Sequence, residues 1–287
     1  MKARNKRNKI YLFTVILALL IFGINSLLDS GDSLTSNYGN TVVHFIDVDQ
    51  GDAIYIKTPS QNILIDAGER GNIVVDYLTK LNVTSLDLVI GTHPHDDHIG
   101  GLINVFQHIK VKEVIDPGIV HTSRTFEDYL TLIDEKGIKF TEGRAGMKRK
   151  LDDNTLLEIL HPTTPNSGDL NGSSIVTKLT FGDMSFLFTG DADTSSEKEI
   201  LSLGYDVRST ILKVGHHGSS ASTSDDFLDA VSPEAVIIMC GTDNSYGHPH
   251  KETMEKLNDS DIAIYRTDID GNIVVSTDGQ TYEVTHD

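Results

Sequence analysis

The sequence predicts an α/β protein in which two β-sheets pack face to face and carry helices on their outer faces. Three observations favour this fold class. Short β-branched runs separated by turn sequences follow residue 41, stretches with helical spacing of apolar residues then alternate with strands, and the same order returns in the second half of the chain. Because sheets and amphipathic helices each have an apolar face to bury, two such groups are expected to form stacked layers.

The N-terminal residues 1–28 differ in composition from the rest of the chain. Five Lys and Arg residues within the first nine positions precede 19 residues without charge, at positions 10–28. That length lies between the apolar core of a signal peptide, about 7–15 residues, and a membrane span of about 20 residues. Bulky residues near the end of the run favour an uncleaved transmembrane anchor over a cleaved signal. The basic flank is expected in the cytoplasm, so the rest of the chain is expected outside the cell, attached to the cell membrane or secreted.

The first half of the predicted domain, which begins at residue 41, contains a meander followed by alternating helices and strands. Residues 29–40 before it are rich in Ser, Asn, Asp and Gly and are predicted to be a linker. Three strands separated by turn sequences form the meander: "TVVHFIDV", "AIYIKT" and "NILIDAG". The alternating part consists of helix "NIVVDYLTKLN", strand "LDLVIGT", helix "GLINVFQHI", strand "VKEVID", helix "TFEDYLTLIDEKG" and strand "IKFTEG".

The second half of the domain, which extends to residue 287, repeats this organisation. Strands "TLLEIL", "SIVTKLTFG" and "MSFLFTG" come first, followed by helix "SSEKEILSLG", strand "STILKVG", helix "SDDFLDAVS", strand "EAVIIMCG" and helix "HKETMEKLND". Three short strands complete it: "AIYRTD", "GNIVVST" and "TYEVT". The repetition of strands and then helices predicts two sheets rather than one.

The charge of the chain limits its partners. After the five N-terminal cations, 19 Lys and Arg residues oppose 42 Asp and Glu residues, a net charge of about −23. A field of that sign repels polyanions over long distances, which argues against a dedicated DNA-binding surface. The single cysteine, Cys240, excludes an intramolecular disulfide. No obligate protein partner is indicated.

The stretch "VIGTHPHDDHIGGL" places three histidines and two aspartates directly after an apolar strand. In the pattern H-x-H-x-D-H, the candidate metal ligands are His93, His95, Asp97 and His98. A loop at the end of a strand is expected to arrange these side chains around one point, and imidazole together with carboxylate suits Zn²⁺ or Mn²⁺. The two glycines at positions 100–101 are expected to let the backbone turn sharply and start a helix beside the cluster.

With this motif, the sequence resembles the metallo-β-lactamase superfamily and, within it, the hydrolase domain of ComEC-type competence proteins. The resemblance extends from Val43 to about His250. It implies an αββα sandwich with two divalent metal ions at one edge. One departure is Asp49, where such domains usually carry Gly in a "VGQGD" turn. The matching phrases are "HFIDVDQGDAIYI", "NILIDAG", "THPHDDHIGGL", "FLFTGD", "LKVGHHGSSAS" and "YGHPH".

The resemblance also implies which residues hold the two ions. His93 and His95 would bind the first ion, and Asp97 and His98 would bind the second. Asp191, in "FTGD", would bridge both ions. An anionic oxygen that contacts two cations is what the H-x-H-x-D-H motif by itself lacks.

Two positions in the implied ligand set stay open. Within "KVGHHGS", either His216 or His217 would complete the second ion, and His216 is favoured because it is closer to the end of the strand. The third ligand of the first ion is either His161, in "EILHP", or absent, since ComEC-like domains carry an asparagine-serine phrase, here at Asn171, in its usual place.

A pair of metal ions suits hydrolysis of phosphate esters. Two ions about 3.5–4 Å apart lower the pKa of a shared water and hold both the attacking and the leaving oxygen. The nucleophile would be a hydroxide that bridges the ions and is oriented by Asp97. His248, in "SYGHP", is a candidate donor to the departing oxygen or else a surface histidine. Asp66 is expected to hold one of the metal-binding histidines in place.

The sequence therefore predicts a metal-dependent hydrolase that cleaves a small or polymeric phosphodiester. The resemblance points to DNA, whereas the acidic charge favours a smaller or less charged substrate. Two alternatives remain open. The same superfamily hydrolyses lactams, thioesters and lactones, so an acyl hydrolase is one alternative. The other is a non-catalytic accessory module of a DNA-uptake or envelope system.

Overall fold

Two large mixed β-sheets with helices on both outer faces form the part of the chain that a computed structural model describes, residues 40–259 and 262–287. The predicted α/β class with two face-to-face sheets is confirmed for these residues. The predicted membrane segment at residues 10–28 lies outside them, as does nearly all of the predicted linker. Within the described ranges, no helix is long and apolar enough to cross a membrane.

The first sheet combines an antiparallel and a parallel half. Its strands are β1 (Thr41–Phe45), β2 (Ile54–Lys57), β3 (Asn62–Ile65), β5 (Leu88–Ile90), β7 (Glu113–Asp116), β8 (Lys139–Glu142), β16 (Ile273–Thr277) and β17 (Tyr282–His286). In the described chain their order is β17-β16-β1-β2-β3-β5-β7-β8. Pairing is antiparallel from β17 to β3 and parallel from β3 to β8. A separate parallel pair, β4 (Ser85–Leu86) and β6 (Lys110–Val111), lies beside it.

The second sheet has the same mixture of pairings. Its strands are β9 (Lys148–Lys150), β10 (Thr155–His161), β11 (Val176–Phe181), β12 (Met184–Phe188), β13 (Ile211–Lys213), β14 (Ala235–Ile238) and β15 (Ala263–Arg266). Their order among the described residues is β15-β14-β13-β12-β11-β10-β9, antiparallel from β9 to β12 and parallel from β12 to β15. In both sheets, the parallel strands therefore present their carboxyl ends at one edge.

Helices cover the outer face of each sheet. The first sheet packs against α1 (Ile73–Lys80), α2 (Asp96–His108) and α3 (Arg124–Glu135), and the second against α4 (Thr194–Ser202), α5 (Asp225–Val231) and α6 (Lys251–Asn258). A short helix, α7 (Thr267–Asp270), precedes β16. Side-chain caps define three of the helix starts: Ser123 accepts from the Phe126 amide, Ser224 from the Phe227 amide, and Asp193 from the amides of Ser195 and Ser196.

The core between the two sheets is built from alternate residues of their strands. Phe45 of the first sheet meets Phe188 of the second with ring centroids 6.2 Å apart, and Phe186 stacks beside Phe188 at 6.2 Å. All three are buried. Burial of one such side chain contributes about 1.5–3 kcal/mol, so this layer is a main source of stability. It also fixes the distance between the strand ends of the two sheets, where the metal-binding candidates lie.

Gly100 and Gly101 lie inside α2, so the expectation that they form a sharp turn before the helix is wrong. Helix α2 already begins at Asp96. A Cβ atom at Gly101 would lie 2.0 Å from the carbonyl oxygen of Ala67, and one at Gly100 would lie 2.6 Å from the Arg70 amide nitrogen. These glycines are needed because the helix backbone touches the segment that follows β3.

Asp116 is a buried carboxyl away from the predicted metal site, at the end of β7. Its Oδ1 accepts from the Gly118 amide at 2.7 Å, and its Oδ2 accepts from the Tyr129 hydroxyl at 3.2 Å. Burial raises its pKa to about 7. The folded protein therefore retains a proton on this carboxyl in a pH range where the unfolded chain, with a carboxyl pKa of about 3.9, has lost it.

We expect Asp116 to lower the stability of the protein as pH rises from about 4 to about 7. A folded-state pKa above the unfolded value means that folding binds a proton in this range, and each unit of pKa difference corresponds to about 1.4 kcal/mol. Asp116→Asn keeps the acceptor oxygen and removes the titration. The free energy of unfolding is measured in urea for both proteins at pH 4, 5.5, 7 and 8. The value for the variant minus that for the wild type should increase by a few kcal/mol as the pH rises to 7, and should then level off. A difference that is independent of pH would contradict this.

Candidate metal centre

The H-x-H-x-D-H motif begins in an extended segment and ends in a helix. His93 and His95 follow the carboxyl end of β5, and His95 has extended backbone angles at the start of α2. Asp97 and His98 lie in the first turn of α2 rather than in the loop that the sequence indicates. The helix starts early because carboxylates are favourable near helix N-termini, and Asp96 and Asp97 both lie there. The extended part of the motif and its helical part therefore direct their side chains toward one point.

One group of four side chains converges tightly. His98 Nε2 lies 3.3 Å from Asp191 Oδ1 and 4.0 Å from Asp97 Oδ2. His217 Nε2 lies 3.4 Å from Asp191 Oδ1 and 3.5 Å from Asp97 Oδ2. We call these four atoms the second donor set. They come from α2, from the turn after β12 and from the turn after β13, so the set forms only when both sheets are in place.

Three further donor atoms, at the position expected for the first ion, lie around the other oxygen of Asp191. His93 Nε2 lies 2.9 Å from His95 Nδ1 and 3.8 Å from Asp191 Oδ2. We call these three atoms the first donor set. Asp191 is buried and follows Gly190, whose φ of +51° places the turn after β12 in the left-handed region. Asp191 therefore directs one carboxylate oxygen to each donor set, which is the geometry that a bridging ligand requires.

The structure places the two adjacent histidines on different sides of Asp191. His217, not His216, reaches Asp97 and His98, and its ring is buried, with Nδ1 donating to the carbonyl oxygen of Met239 at 2.9 Å. His216 instead lies on the first side, with Nε2 3.5 Å from Asp191 Oδ2. Both residues have positive φ, +47° and +55°, an uncommon conformation in which both rings approach Asp191 from different sides.

His161 does not join either donor set in the structure. Its Nδ1 donates to the carbonyl oxygen of Ser174 at 2.9 Å, and its Nε2 lies 3.8 Å from Glu199 Oε2. The bulge that ends the β10–β11 pairing turns the ring toward α4. Ser174 stands between it and the first donor set: its Oγ lies 3.3 Å from His93 Nδ1 and accepts from the Asp191 amide at 3.2 Å. Beside His93, where the sequence offered His161 as a third ligand of the first ion, the structure thus has the hydroxyl of Ser174.

The donor atoms of the second set fit a divalent cation. His98 Nε2, His217 Nε2 and Asp191 Oδ1 are buried and have no hydrogen-bond partner among the described residues. Atoms that share a tetrahedral ion at about 2.0–2.1 Å lie about 3.3–3.4 Å from one another, and three of the four measured separations are within 0.2 Å of that range. Buried polar atoms without partners cost free energy, which a bound cation would recover.

Other hydrogen bonds orient the histidine rings of these donor sets. Asp66, after β3, lies with Oδ2 2.8 Å from His98 Nδ1 and also accepts from Thr92 Oγ1 at 2.6 Å. This contact is the one expected of Asp66 from the sequence. His217 is oriented by the Met239 carbonyl. A ring whose Nδ1 is engaged in this way presents Nε2 to the centre, as histidines that bind metals commonly do.

The electrostatics of the centre are dominated by its carboxylates. Burial lowers the pKa of His98 and of His217, but the neighbouring carboxylates, with Asp191 foremost, hold both well above the usual value. Burial raises the pKa of Asp191, but the same two histidines hold it well below the usual value. Burial lowers the pKa of His93 to well below the usual value. Asp191 Oδ1 and Asp97 Oδ2 lie close to the buried rings of His98 and His217, and these two negative oxygens favour a cation at this place.

A cavity of about 480 Å³ opens onto the donor sets. Tyr246 and His248 form one wall, stacked with their ring planes 17° apart and their centroids at 5.6 Å. Tyr246 is 63% exposed, whereas His248 is buried and its Nδ1 has no partner among the described residues. Burial, together with neighbouring histidines, lowers the pKa of His248 to about 4. His248 therefore lines the cavity that opens onto the donor sets.

Two functional candidates were missed from the sequence. Asp52 and Lys213 are both buried and form an ion pair directly behind His217. Burial by itself raises the pKa of Asp52, but Lys213 and then His217 lower it to about 2. The signal that was available is Lys213 itself, a cation at the end of the apolar strand "ILKV". Charged residues in apolar strands are seldom buried without a partner.

Comparisons with curated proteins identify related competence proteins. ComE operon protein 3 of Bacillus subtilis (strain 168) is 30% identical over 299 aligned residues, which cover 92% of this chain and 38% of that protein. Competence protein ComA of Neisseria gonorrhoeae is 30% identical over 229 residues, covering 78% of this chain and 30% of that protein. The resemblance to ComEC-type competence proteins is thereby confirmed, and the chain spans less than two fifths of the length of either relative.

Solved structures share the fold at low sequence identity. A metallo hydrolase from Ignicoccus hospitalis KIN4/I has a TM-score of 0.54 at 19% identity, covering 81% of this chain and 98% of that one. CmlA, a diiron beta-hydroxylase from Streptomyces venezuelae, has a TM-score of 0.52 at 13% identity, covering 78% of this chain and 52% of that one. At these identities the likeness shows the fold alone, and one fold here supports different reactions.

The family follows from a match that covers the site. Residues 46–242 match the metallo-beta-lactamase superfamily. That range is more than half of the chain and contains both donor sets together with the strands that position them. The chain therefore belongs to the metallo-β-lactamase superfamily.

Proposed function

We propose that this metallo-β-lactamase-fold protein is a phosphodiester hydrolase that uses two divalent ions, Zn or Mn. The first ion would be held by the first donor set, with His216 as the nearest additional imidazole. The second ion would be held by the second donor set, with His217 in the position for which the sequence favoured His216. The observation that carries the proposal is Asp191, whose two oxygens lie 3.3 Å and 3.8 Å from nitrogens of different histidines.

A two-ion centre would supply a Lewis acid for the phosphoryl oxygens and a water that deprotonates near neutral pH. The side chains of the protein orient the groups around it. Asp97 projects from the first turn of α2 with its side chain 23% exposed, so its carboxylate meets both His217 and the cavity. We assign Asp97 to accept a hydrogen bond from the attacking water. His248, which lines the cavity, is assigned to donate a hydrogen bond to the departing oxygen.

The lining of the cavity limits the class of substrate. The described residues that line it include carboxylates, histidines, a glutamine, an asparagine, a serine and Tyr246, but neither Lys nor Arg. Duplex DNA requires several cationic contacts to its phosphates, and the described lining of this cavity offers none. A single strand or a small phosphodiester needs fewer. The exposed ring of Tyr246 at the cavity offers a surface on which one base could stack. The competence relatives support a substrate of nucleic-acid origin.

We expect the 287-residue chain loaded with Mn²⁺ or Zn²⁺ to hydrolyse bis-p-nitrophenyl phosphate and a single-stranded oligonucleotide, with slower cleavage of the same sequence as a duplex. A chromogenic lactam, a thioester and a lactone are measured in parallel to test the acyl-hydrolase alternative. Asp97→Asn should reduce phosphodiester turnover by at least about 10²-fold, because it weakens both metal binding and orientation of the water. Turnover of an acyl substrate without any phosphodiester turnover would overturn the proposal.

Asp226→Asn is the matched control for this substitution. Asp226 is the second residue of α5, as Asp97 is of α2, so both substitutions remove an acidic side chain from the first turn of a helix. Asp226 is exposed and lies outside both donor sets. Its substitution should leave turnover within about twofold of the wild type, within the usual small range of surface changes. If two ions bind but no substrate is cleaved by any variant, the accessory-module alternative is favoured.

A further inference from the structure

Lys213 is a fully buried cation at the end of β13. Its side chain has no exposed area, and Nζ lies 2.5 Å from Asp52 Oδ2, whose residue is 1% exposed. Nζ also donates to the carbonyl oxygen of Gly190 at 3.2 Å. Transfer of two charges from water into a protein interior costs several kcal/mol for each ion, which their attraction only partly offsets. A buried pair of this kind is therefore weak evidence for a stabilising role.

The ion pair is in contact with each segment that carries a residue of the second donor set. The Asp52 amide donates to the carbonyl oxygen of Asp97 at 3.2 Å. Gly190, which accepts from Lys213, directly precedes Asp191. Asp52 Oδ1 lies 3.4 Å from His217 Nδ1. Asp52 and Lys213 thus contact the backbone at Asp97, the backbone next to Asp191 and the ring of His217. These contacts connect segments that belong to opposite sheets.

The loop around Asp52 is shaped for this contact. A Cβ atom at Gly51, whose φ is +133°, would lie 2.2 Å from the carbonyl oxygen of Asp97. The Gly68 amide donates to the carbonyl oxygen of Asp52 at 2.8 Å. Asp49, the departure from the usual glycine, adopts a φ of +66°, which aspartate tolerates better than most residues. The substitution at position 49 therefore leaves the approach of Asp52 to the centre intact.

We propose that the Asp52–Lys213 ion pair is a positioning device for the second metal ion, which holds Asp97, Asp191 and His217 at the spacing that one cation requires. This inference rests on the proposed two-ion centre. Neither residue belongs to the first or the second donor set. Lys213 Nζ holds the Gly190 carbonyl oxygen beside Asp191, and Asp52 Oδ1 faces Nδ1 of the His217 ring. The ion pair also fixes the position of Asp52, whose backbone amide donates to the Asp97 carbonyl oxygen in the first turn of α2.

The test replaces both charges at once, because removal of one would leave the other buried without a partner. Asp52→Leu/Lys213→Met substitutes apolar side chains of similar size, and Asp52→Asn/Lys213→Met keeps the shape of the carboxylate. In the 287-residue chain we expect Asp52→Leu/Lys213→Met to unfold at a temperature at or above that of the wild type when metal is absent. We expect the affinity for the second ion to fall at least about 10-fold, the range found when groups that orient metal ligands are removed.

Metal binding is measured by titration with Mn²⁺ and by electron paramagnetic resonance, independently of turnover. The wild type should bind two ions and show the spectrum of a coupled pair, whereas the double variants should show an isolated ion at the same Mn²⁺ concentration. The control is Glu113→Leu/Arg149→Met, which removes a two-bonded ion pair between β7 and β9, remote from the centre. It should lower the unfolding temperature and leave the coupled spectrum unchanged.

The outcomes separate this inference from the proposed function. If the wild type binds fewer than two ions, the two-ion centre itself is wrong. If the wild type and a folded double variant bind two ions with the same affinity, the centre stands and the positioning role is overturned. If both double variants fail to fold, the ion pair is a stability element, which also overturns the positioning role.

Discussion

His217→Ala should lose one of two bound metal ions and reduce kcat/KM for a phosphodiester about 10³-fold. The substitution removes a buried nitrogen that lies 3.4 Å from Asp191 Oδ1 and 3.5 Å from Asp97 Oδ2. Among the described residues, the one other histidine that approaches both carboxylates is His98, which lies farther from Asp97, at 4.0 Å. A bound ion stabilises developing charge by several kcal/mol, and about 4 kcal/mol corresponds to 10³-fold in rate. The number of bound ions is measured by elemental analysis of the Mn-loaded or Zn-loaded protein, and the rate with bis-p-nitrophenyl phosphate.

His161→Ala is a closely matched control. Both histidines are buried, and each donates from Nδ1 to a backbone carbonyl oxygen at 2.9 Å, His217 to Met239 and His161 to Ser174. The two variants therefore create similar cavities and each leaves one buried carbonyl without its donor. His161→Ala should keep both ions, with kcat/KM within a few-fold of the wild type. Loss of an ion in His161→Ala with retention in His217→Ala would reverse the assignment made from the geometry.

Gly101→Ala should destabilise the protein by about 3 kcal/mol, although alanine is the better helix former by about 1 kcal/mol. The added methyl group would lie 2.0 Å from the carbonyl oxygen of Ala67 and 3.1 Å from its Cβ. Helix α2 is tied to this segment by hydrogen bonds from the Ala67 amide to His98 O at 2.8 Å and from the Gly101 amide to Gly68 O at 2.9 Å. Steric overlap in a packed interior therefore outweighs helix propensity.

The change in stability is measured from the urea midpoint at constant slope, with metal removed by a chelator. Gly71→Ala serves as the control, because its added methyl group would meet its nearest atom, Glu69 O, only at 3.9 Å. That variant should unfold within about 0.5 kcal/mol of the wild type. Displacement of α2 also moves His98, so Gly101→Ala should bind the second ion more weakly once the protein is refolded in metal. Equal midpoints for Gly101→Ala and the wild type would show that α2 is not in contact with the Ala67 segment.

Local pattern was sufficient for the layered fold and for the motif that starts the site. The period-two runs at "TVVHFIDV" and "MSFLFTG" correspond to β1 and β12, and the helical spacing at "TFEDYLTLIDEKG" corresponds to α3. These predictions succeed because residues close in sequence determine which face of a strand or helix is apolar. The clustering of His93, His95, Asp97 and His98 is visible for the same reason, since four donors within six positions need no long-range contact to lie together.

The backbone conformations and contacts that direct individual side chains could not be predicted from local sequence pattern in the same way. The different directions of the His216 and His217 rings accompany two successive positive φ angles after β13. Histidine adopts such angles more often than most residues, but the sequence does not specify where they occur. The orientation of His161 toward Glu199 depends on a bulge in the β10–β11 pairing. The start of α2 within the motif also differs from the predicted loop. The early start of α2 has a local cause, the carboxylates of Asp96 and Asp97 near its N-terminus, whereas the other two features depend on backbone geometry that the local pattern does not specify.

By itself, the sequence determined that the chain has two strand-and-helix groups, a metal-binding motif at a strand end, and the composition of an acidic domain after a basic apolar segment. Only the tertiary structure decided that the two carboxylate oxygens of Asp191 face different donor sets and that the Asp52–Lys213 pair lies behind the second. The physical reason is distance along the chain. Asp52, Asp97, Asp191 and Lys213 come from different sheets and turns, so their relation is set by the packing of the two sheets against each other.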